Sequence, residues 1–214
     1  MSDAATAPAI SEITRHETAE RARLLDVEAY DITLDFTLSD TTFRSVSVIR
    51  FSCREPGAST HVDLVAPAVH EITLNGVAID PAEAFRAARI ALPDLAANNE
   101  LRVVADCAYS HEGAGAHRAV DSADGRVYLY TKLEPAEARR VYANFEQPDL
   151  KSAFTFHVIA PDHWTVMSNQ PTPAPEPRDG GLAVWHFEPT PRISTYLTAI
   201  VAGDYVVVES EHTT

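Results

Sequence analysis

The sequence predicts an all-β fold, a sandwich or open barrel of many short strands. Three observations carry this. Ile32, Leu34, Phe36 and Leu38 alternate with Asp31, Thr33, Asp35 and Thr37, the period of a half-buried strand. Asn75-Gly76 stands between Ile72-x-Leu74 and Val77-x-Ile79, and Asn-Gly tolerates the positive φ angles of a tight hairpin turn. Further short apolar runs follow with turn residues between them, which favours a sandwich over a βαβ fold.

The elements follow in chain order. Residues 1–13 are expected to be a disordered tail, and residues 14–214 a single β-rich domain. Thr14-x-x-Glu17 is a capping-box pattern, and it opens a charged stretch that ends at Leu24-Leu25, so a short surface helix is expected there. After the first strand, Val46 and Val48 continue the alternation. The phase slips at Ile49 before Phe51 and Cys53, which predicts a β-bulge in that strand. Asp80-Pro81-Ala82-Glu83 opens a short helix with proline at its first position. Strands are then expected at 90–92, 101–109, 126–130, 154–160, 164–168, 183–187, 196–202 and 205–209. A short helix is expected near 135–142. Pro171, Pro173, Pro175 and Pro177, followed by Gly180-Gly181, form a loop that cannot enter a sheet interior.

Charge and composition narrow the function. The 214 residues carry a formal charge of -14, which disfavours nucleic acid, since phosphate binding needs clustered Lys and Arg. Lysine occurs only at Lys132 and Lys151. No run approaches a membrane span, and residues 1–30 hold no apolar signal region, so a cytoplasmic protein is expected. Cys53 and Cys107 lie in strand-like stretches and read as buried free thiols.

Candidate chemistry is sparse. The nine histidines are scattered, and none forms H-E-x-x-H; His111-Glu112 with His117 is the nearest cluster. No metal ligand or catalytic residue is expected in this chain. Gly113-x-Gly115 lacks the third glycine of a phosphate loop, and no G-x-S-x-G elbow occurs. The informative stretch is Thr131–Lys151, T-K-L-E-P-A-E-A-R-R-V-Y-A-N-F-E-Q-P-D-L-K. Glu134 stands where the chain leaves an apolar strand for a short helix. From the local pattern two readings stand: a carboxylate facing a cleft to bind a cation, or a surface acid that is solvated or paired with Arg139.

Several motifs in order resemble the amino-terminal domain of the aminopeptidase N family of zinc metallo-aminopeptidases. They are T-K-L-E-P-A-E-A-R-R (131–140), F-E-Q-P-D-L-K-S-A-F (145–154), M-S-N (167–169) and F-E-P-T-P-R-I-S-T-Y-L-T-A-I-V-A-G-D-Y (187–205). The opening T-R-H-E-T-A-E-R-A-R-L-L-D-V-E-A-Y-D-I-T-L-D (14–35) looks like the actinobacterial branch. The resemblance runs from about Thr14 to the end. It implies a saddle-shaped, many-stranded β domain, followed in the family by a zinc domain with G-A-M-E-N and H-E-x-x-H. The chain ends at Thr214, where that domain would begin, so it is expected to be a fragment that holds no zinc and is inactive alone.

The resemblance also implies site roles. Glu134 matches the glutamate of the family's T-Q-x-E motif, which binds the α-amine of a peptide substrate. Lys132 stands where that motif has glutamine, a departure that bears on the first specificity pocket. Arg139, Arg140, Phe145, Pro148 and Asp149 match architectural positions, with both arginines expected to hold the turn through nearby carboxylates. Trp164, Trp185 and Tyr196 are expected in the core. The implied partner is the peptide amino terminus, and an exposed domain interface would permit self-association. The competing reading is a freestanding, non-catalytic β-sandwich that binds a ligand or adaptor partner.

Overall fold

The computed structural model describes residues 13–208 and 210, so the expected tail lies outside the described residues apart from Ile13. Helix α1 (Arg15–Leu24) begins where its sequence says it should. The Thr14 hydroxyl accepts from the Glu17 N–H at 3.2 Å, and the Glu17 carboxylate accepts from the Thr14 N–H at 2.8 Å. That Thr14 N–H foremost, with Arg89 behind it, holds the Glu17 carboxyl down to about 2.

The strands are β1 (Leu25–Asp35), β2 (Thr42–Cys53), β3 (Thr60–Asp63), β4 (Ala68–Leu74), β5 (Val77–Ile79), β6 (Phe85–Arg86), β7 (Arg89–Leu92), β8 (Asn98–Ala108), β9 (Gly115–Val120), β10 (Val127–Lys132), β11 (Ala153–Pro161), β12 (Thr165–Ser168), β13 (Glu176–Arg178), β14 (Leu182–His186) and β15 (Ile200–Gly203). The short helix α2 (Pro81–Ala84) follows Asp80, whose carboxylate accepts from the Ala82 N–H. An eight-stranded sheet runs β13-β14-β11-β1-β2-β8-β4-β5, a four-stranded sheet runs β12-β15-β10-β9, and a three-stranded sheet runs β3-β7-β6. Every pairing is antiparallel except β1 with β11, which is parallel from Ala29↔Ala153 to Asp35↔Ile159. The all-β expectation holds, and β4 turns into β5 through Asn75 and Gly76 with φ of 53° and 79°.

Some expectations fail for physical reasons. The phase slip in β2 is no bulge: its register with β8 is continuous, and Phe43, Ser45, Ser47, Ile49, Phe51 and Cys53 form one buried face. Two serines occupy inward positions, and the Ser47 hydroxyl accepts from the Ala143 N–H at 3.1 Å, so polarity misreports direction there. The irregularity sits in the partner strand instead, between Val27 and Ala29 of β1. The expected 205–209 strand does not form over 205–208, and Val206, Val207 and Val208 are exposed; Glu209 lies outside the described residues. The 196–202 strand begins only at Ile200, after a 3-10 turn at Thr195–Leu197. The helix near 135–142 is a turn ending in one 3-10 turn, Ala138–Arg140.

One core joins the three sheets. Tyr30, Ile32, Leu34, Phe154, Phe156 and Val158 from the inner faces of β1 and β11 are buried with Leu129 and Ala202 from the four-stranded sheet and Val62 and Ile90 from the three-stranded one. Across this core runs the segment 141–147, buried at every residue. Tyr142 packs edge-on against Tyr30 and Phe154, and Phe145 against Phe51, geometries that suit the ring quadrupoles.

Candidate functional site

The Thr131–Lys151 corner is held by strand register at one end and by the core at the other. The β10 register against β9 puts Lys132 opposite Gly115, and the Thr131 hydroxyl accepts from the Ile200 N–H at 2.9 Å. Gly115 has φ of +66°, and a Cβ there would lie 2.9 Å from Cβ of Arg140. The Arg140 stem therefore lies across Gly115, and its guanidinium pairs with Glu137. The strand end that carries Lys132 and the turn that follows are clamped together.

Leu133 is buried at the strand exit, and Glu134 and Pro135, joined by a cis peptide bond, are exposed. Glu134 has no hydrogen-bond or ion-pair partner among the described residues. The pairing with Arg139 that the sequence allowed is absent. The structure thus brings Lys132 and Glu134 to one exposed strand end, two residues apart, and leaves both heads to solvent. The grooves bordered by Arg50 and Asn98, by Asp35 and Arg178, and by Arg21 and His61 include neither residue. A carboxylate in so open a position needs a second surface to exclude water before it binds an ammonium strongly.

Behind this corner lies a buried polar network centred on Glu146. Glu146 is 4 % exposed; its carboxylate accepts from the Arg139 N–H at 2.7 Å and from the Thr195 hydroxyl at 2.9 Å. Burial pushes its pKa up, against the pull of those two donors and the Arg139 charge. Asp63, 1 % exposed, accepts from the Glu146 N–H at 3.2 Å and pairs with Arg21 at 3.2 Å. Arg21 also donates from Nε to the Gln147 side-chain oxygen at 3.1 Å, and Gln147 donates to the Thr18 carbonyl at 2.9 Å. Helix α1, expected at the surface, is therefore tied to the corner through the interior. Arg140 holds the turn through a carboxylate as expected; Arg139 does so through its backbone N–H. Thr195, which donates to Glu146, lies 49 residues from it, so no local signal marked the network.

The remaining candidates resolve into structure. His111 Nδ1 contacts the Arg118 carbonyl at 3.1 Å, and His117 Nδ1 accepts from the Gly113 N–H at 3.2 Å, so both rings serve their loop. Gly115 opens β9 and is not part of a free loop. Trp185 is buried in the core, with Trp164 and Tyr196 half-buried. Among the described residues no group of three or more His, Cys, Asp or Glu side chains is placed to hold a metal ion. The zinc implied by the resemblance therefore finds no donor set among the described residues. Among the described residues no helix is long and apolar enough to cross a membrane.

Fold and corner together define a β-rich domain with an exposed carboxylate, Glu134, just past the end of a register-held strand. The Peptidase M1 N-terminal domain profile matches residues 27–197, and the chain belongs to that family. It is 55 % identical over 203 residues to aminopeptidase N of Streptomyces lividans, covering 94 % of this chain and 23 % of that protein. Aminopeptidase N of Bos taurus is 28 % identical over 190 residues, 78 % of this chain and 20 % of that protein. Aminopeptidase N of Acetobacter pasteurianus is 34 % identical over 90 residues, 42 % of this chain and 25 % of that protein. The chain spans about a quarter or less of the length of these relatives.

Proposed function

We propose that this chain is the amino-terminal domain of a zinc metallo-aminopeptidase, which removes residues from the amino termini of peptides. Its task is to support the active site and to offer the Glu134 carboxylate to the substrate α-ammonium. The observation that carries this reading is an exposed glutamate without an internal partner, fixed immediately after a register-locked strand, in a chain 55 % identical to an aminopeptidase N. The zinc of such an enzyme is assigned to a part of it other than the residues described here.

The chemistry suits end recognition. A free α-ammonium distinguishes the first residue of a peptide from every interior one, because among backbone nitrogens only it carries a full positive charge with three donors. A carboxylate enclosed against it makes charge-assisted hydrogen bonds of about 1.5–3 kcal/mol each, whereas a chain interior offers a single neutral N–H. Lys132 adds a second cation beside the first. In an enclosed site it repels the incoming ammonium unless it turns to Glu134 or to solvent, so it sets how much of the carboxylate's attraction the substrate receives.

Glu134→Ala in the complete enzyme tests the reading. One lost charge-assisted bond corresponds to a loss of about 10- to 100-fold in kcat/KM on free-amine peptides, by the arithmetic of 1.4 kcal/mol per decade. Unchanged kinetics would remove Glu134 from the substrate site.

A further inference from the structure

The outer face of the eight-stranded sheet carries a row of four side chains from four adjacent strands. His157 of β11 and His186 of β14 are register partners. Their Nδ1 atoms face each other at 2.7 Å, with ring planes 64° apart. The outer nitrogens meet carboxylates: His157 Nε2 lies 3.4 Å from Asp31 of β1, and His186 Nε2 lies 3.3 Å from Glu176 of β13. No H-E-x-x-H spacing marks this pair, because its two rings come from strands brought together by folding.

Tautomer logic makes the row chemically specific. An imidazole facing an anion through Nε2 keeps its proton there. When both rings do so, two Nδ1 lone pairs are left 2.7 Å apart, and a cation within reach of both relieves their repulsion. Without a metal, one shared proton serves. The outer carboxylates are the partners that ligating histidines characteristically have, fixing the tautomer and raising ligand basicity. The separation fits one coordination geometry better than another. Two nitrogens in adjacent positions of a tetragonal ion, with bonds of roughly 2.0 Å, stand about 2.8 Å apart, whereas tetrahedral zinc needs about 3.3 Å. Other charged side chains on this face include Asp35 of β1 and Arg178 of β13, further along the row's own strands, and Arg44 and Arg50 of β2 with Glu100, Arg102 and Asp106 of β8 on the neighbouring strands.

We propose that His157 and His186 bind one transition-metal dication of tetragonal preference, of the copper(II) or nickel(II) class, through their Nδ1 atoms, with Asp31 and Glu176 as outer partners and water in the remaining positions. This does not depend on the peptidase reading.

Titration of the 214-residue chain with copper(II) alone, followed by electron paramagnetic resonance, tests it. The expected result is a first equivalent whose spectrum shows two nitrogen ligands. In the double variant H157Q/H186Q that signature is lost and the first equivalent binds at least about tenfold more weakly; D31N and E176Q keep the two-nitrogen spectrum but bind about tenfold more weakly. Circular dichroism melting checks each variant, and the single variant H186Q, whose ring is the more exposed, replaces the double variant if that one loses its fold. A first equivalent whose spectrum and affinity are the same with both histidines replaced overturns the proposal.

Discussion

Replacing Glu146 by Gln asks what a buried carboxylate costs the domain. The group is 4 % exposed, holds the Arg139 N–H and the Thr195 hydroxyl, and has Asp63 close by. Burial, the largest influence, raises its pKa above the ordinary 4.5, and the Asp63 charge adds to that. The folded state therefore holds this proton more tightly than the unfolded state does. By linkage, the contribution of Glu146 to stability is fully present below the unfolded value near 4.5 and is lost as pH rises through the raised folded value. Gln has nearly the same shape and no titrating proton. Its carbonyl can keep the Arg139 N–H, and its amide can donate to the Thr195 hydroxyl oxygen. The stability of E146Q minus that of the parent chain should then climb with pH above about 4.5, by no more than about 1.4 kcal/mol per pH unit for one proton, and level off above the folded pKa. Urea unfolding of both chains across this range, fitted as two-state transitions, measures the difference, and pH effects shared by the two cancel. Glu146→Ala provides the contrast: it orphans two buried donors at about 1–3 kcal/mol each and should be destabilised at every pH. A flat difference, or one that favours the parent chain as pH rises, would refute the reasoning.

Other outcomes follow from the same geometry. Arg21→Met removes one half of a buried ion pair and should cost about 3–5 kcal/mol in the same unfolding assay, because Asp63 is left charged in the interior. Lys132→Gln in the complete enzyme should change the preference for the first residue or lower KM, read on a panel of aminoacyl substrates; identical values across the panel would dismiss Lys132 from the pocket. Cys53 and Cys107 are free and buried, and burial pushes the Cys107 thiol up to about 12. Iodoacetamide at neutral pH should leave Cys107 unlabelled in the native chain and modify it readily once urea unfolds the protein.

What could be read from the sequence was what a few neighbouring residues decide. Thr14 and Glu17 cap each other across three residues, and Asn75-Gly76 closes its hairpin within four, so both were legible. Ser45 and Ser47 were not. They look outward by polarity, yet Ser47 faces inward to meet a backbone N–H that arrives 96 residues later. Strand β3 went unread because its apolar content is slight, and its Asp63 instead bridges to Asn144 and pairs with Arg21. At the corner the exposed half, Lys132 and Glu134, was visible from motif position. The buried half was hidden, since Glu146 is polar by type and interior only through partners distant in sequence.

The parallel pairing of β1 with β11 has a consequence for how the chain is made. β2 is synthesised soon after β1 and can cover one of its edges at once, whereas the other edge waits for Ala153–Pro161 to leave the ribosome. Over that interval β1 offers a row of unpaired amides beside an apolar face that includes Tyr30, Ile32 and Leu34. An open edge of this kind templates pairing with another chain. Emergence of β11 thus closes the second edge of β1, and it comes only after the Glu134 corner itself has been translated.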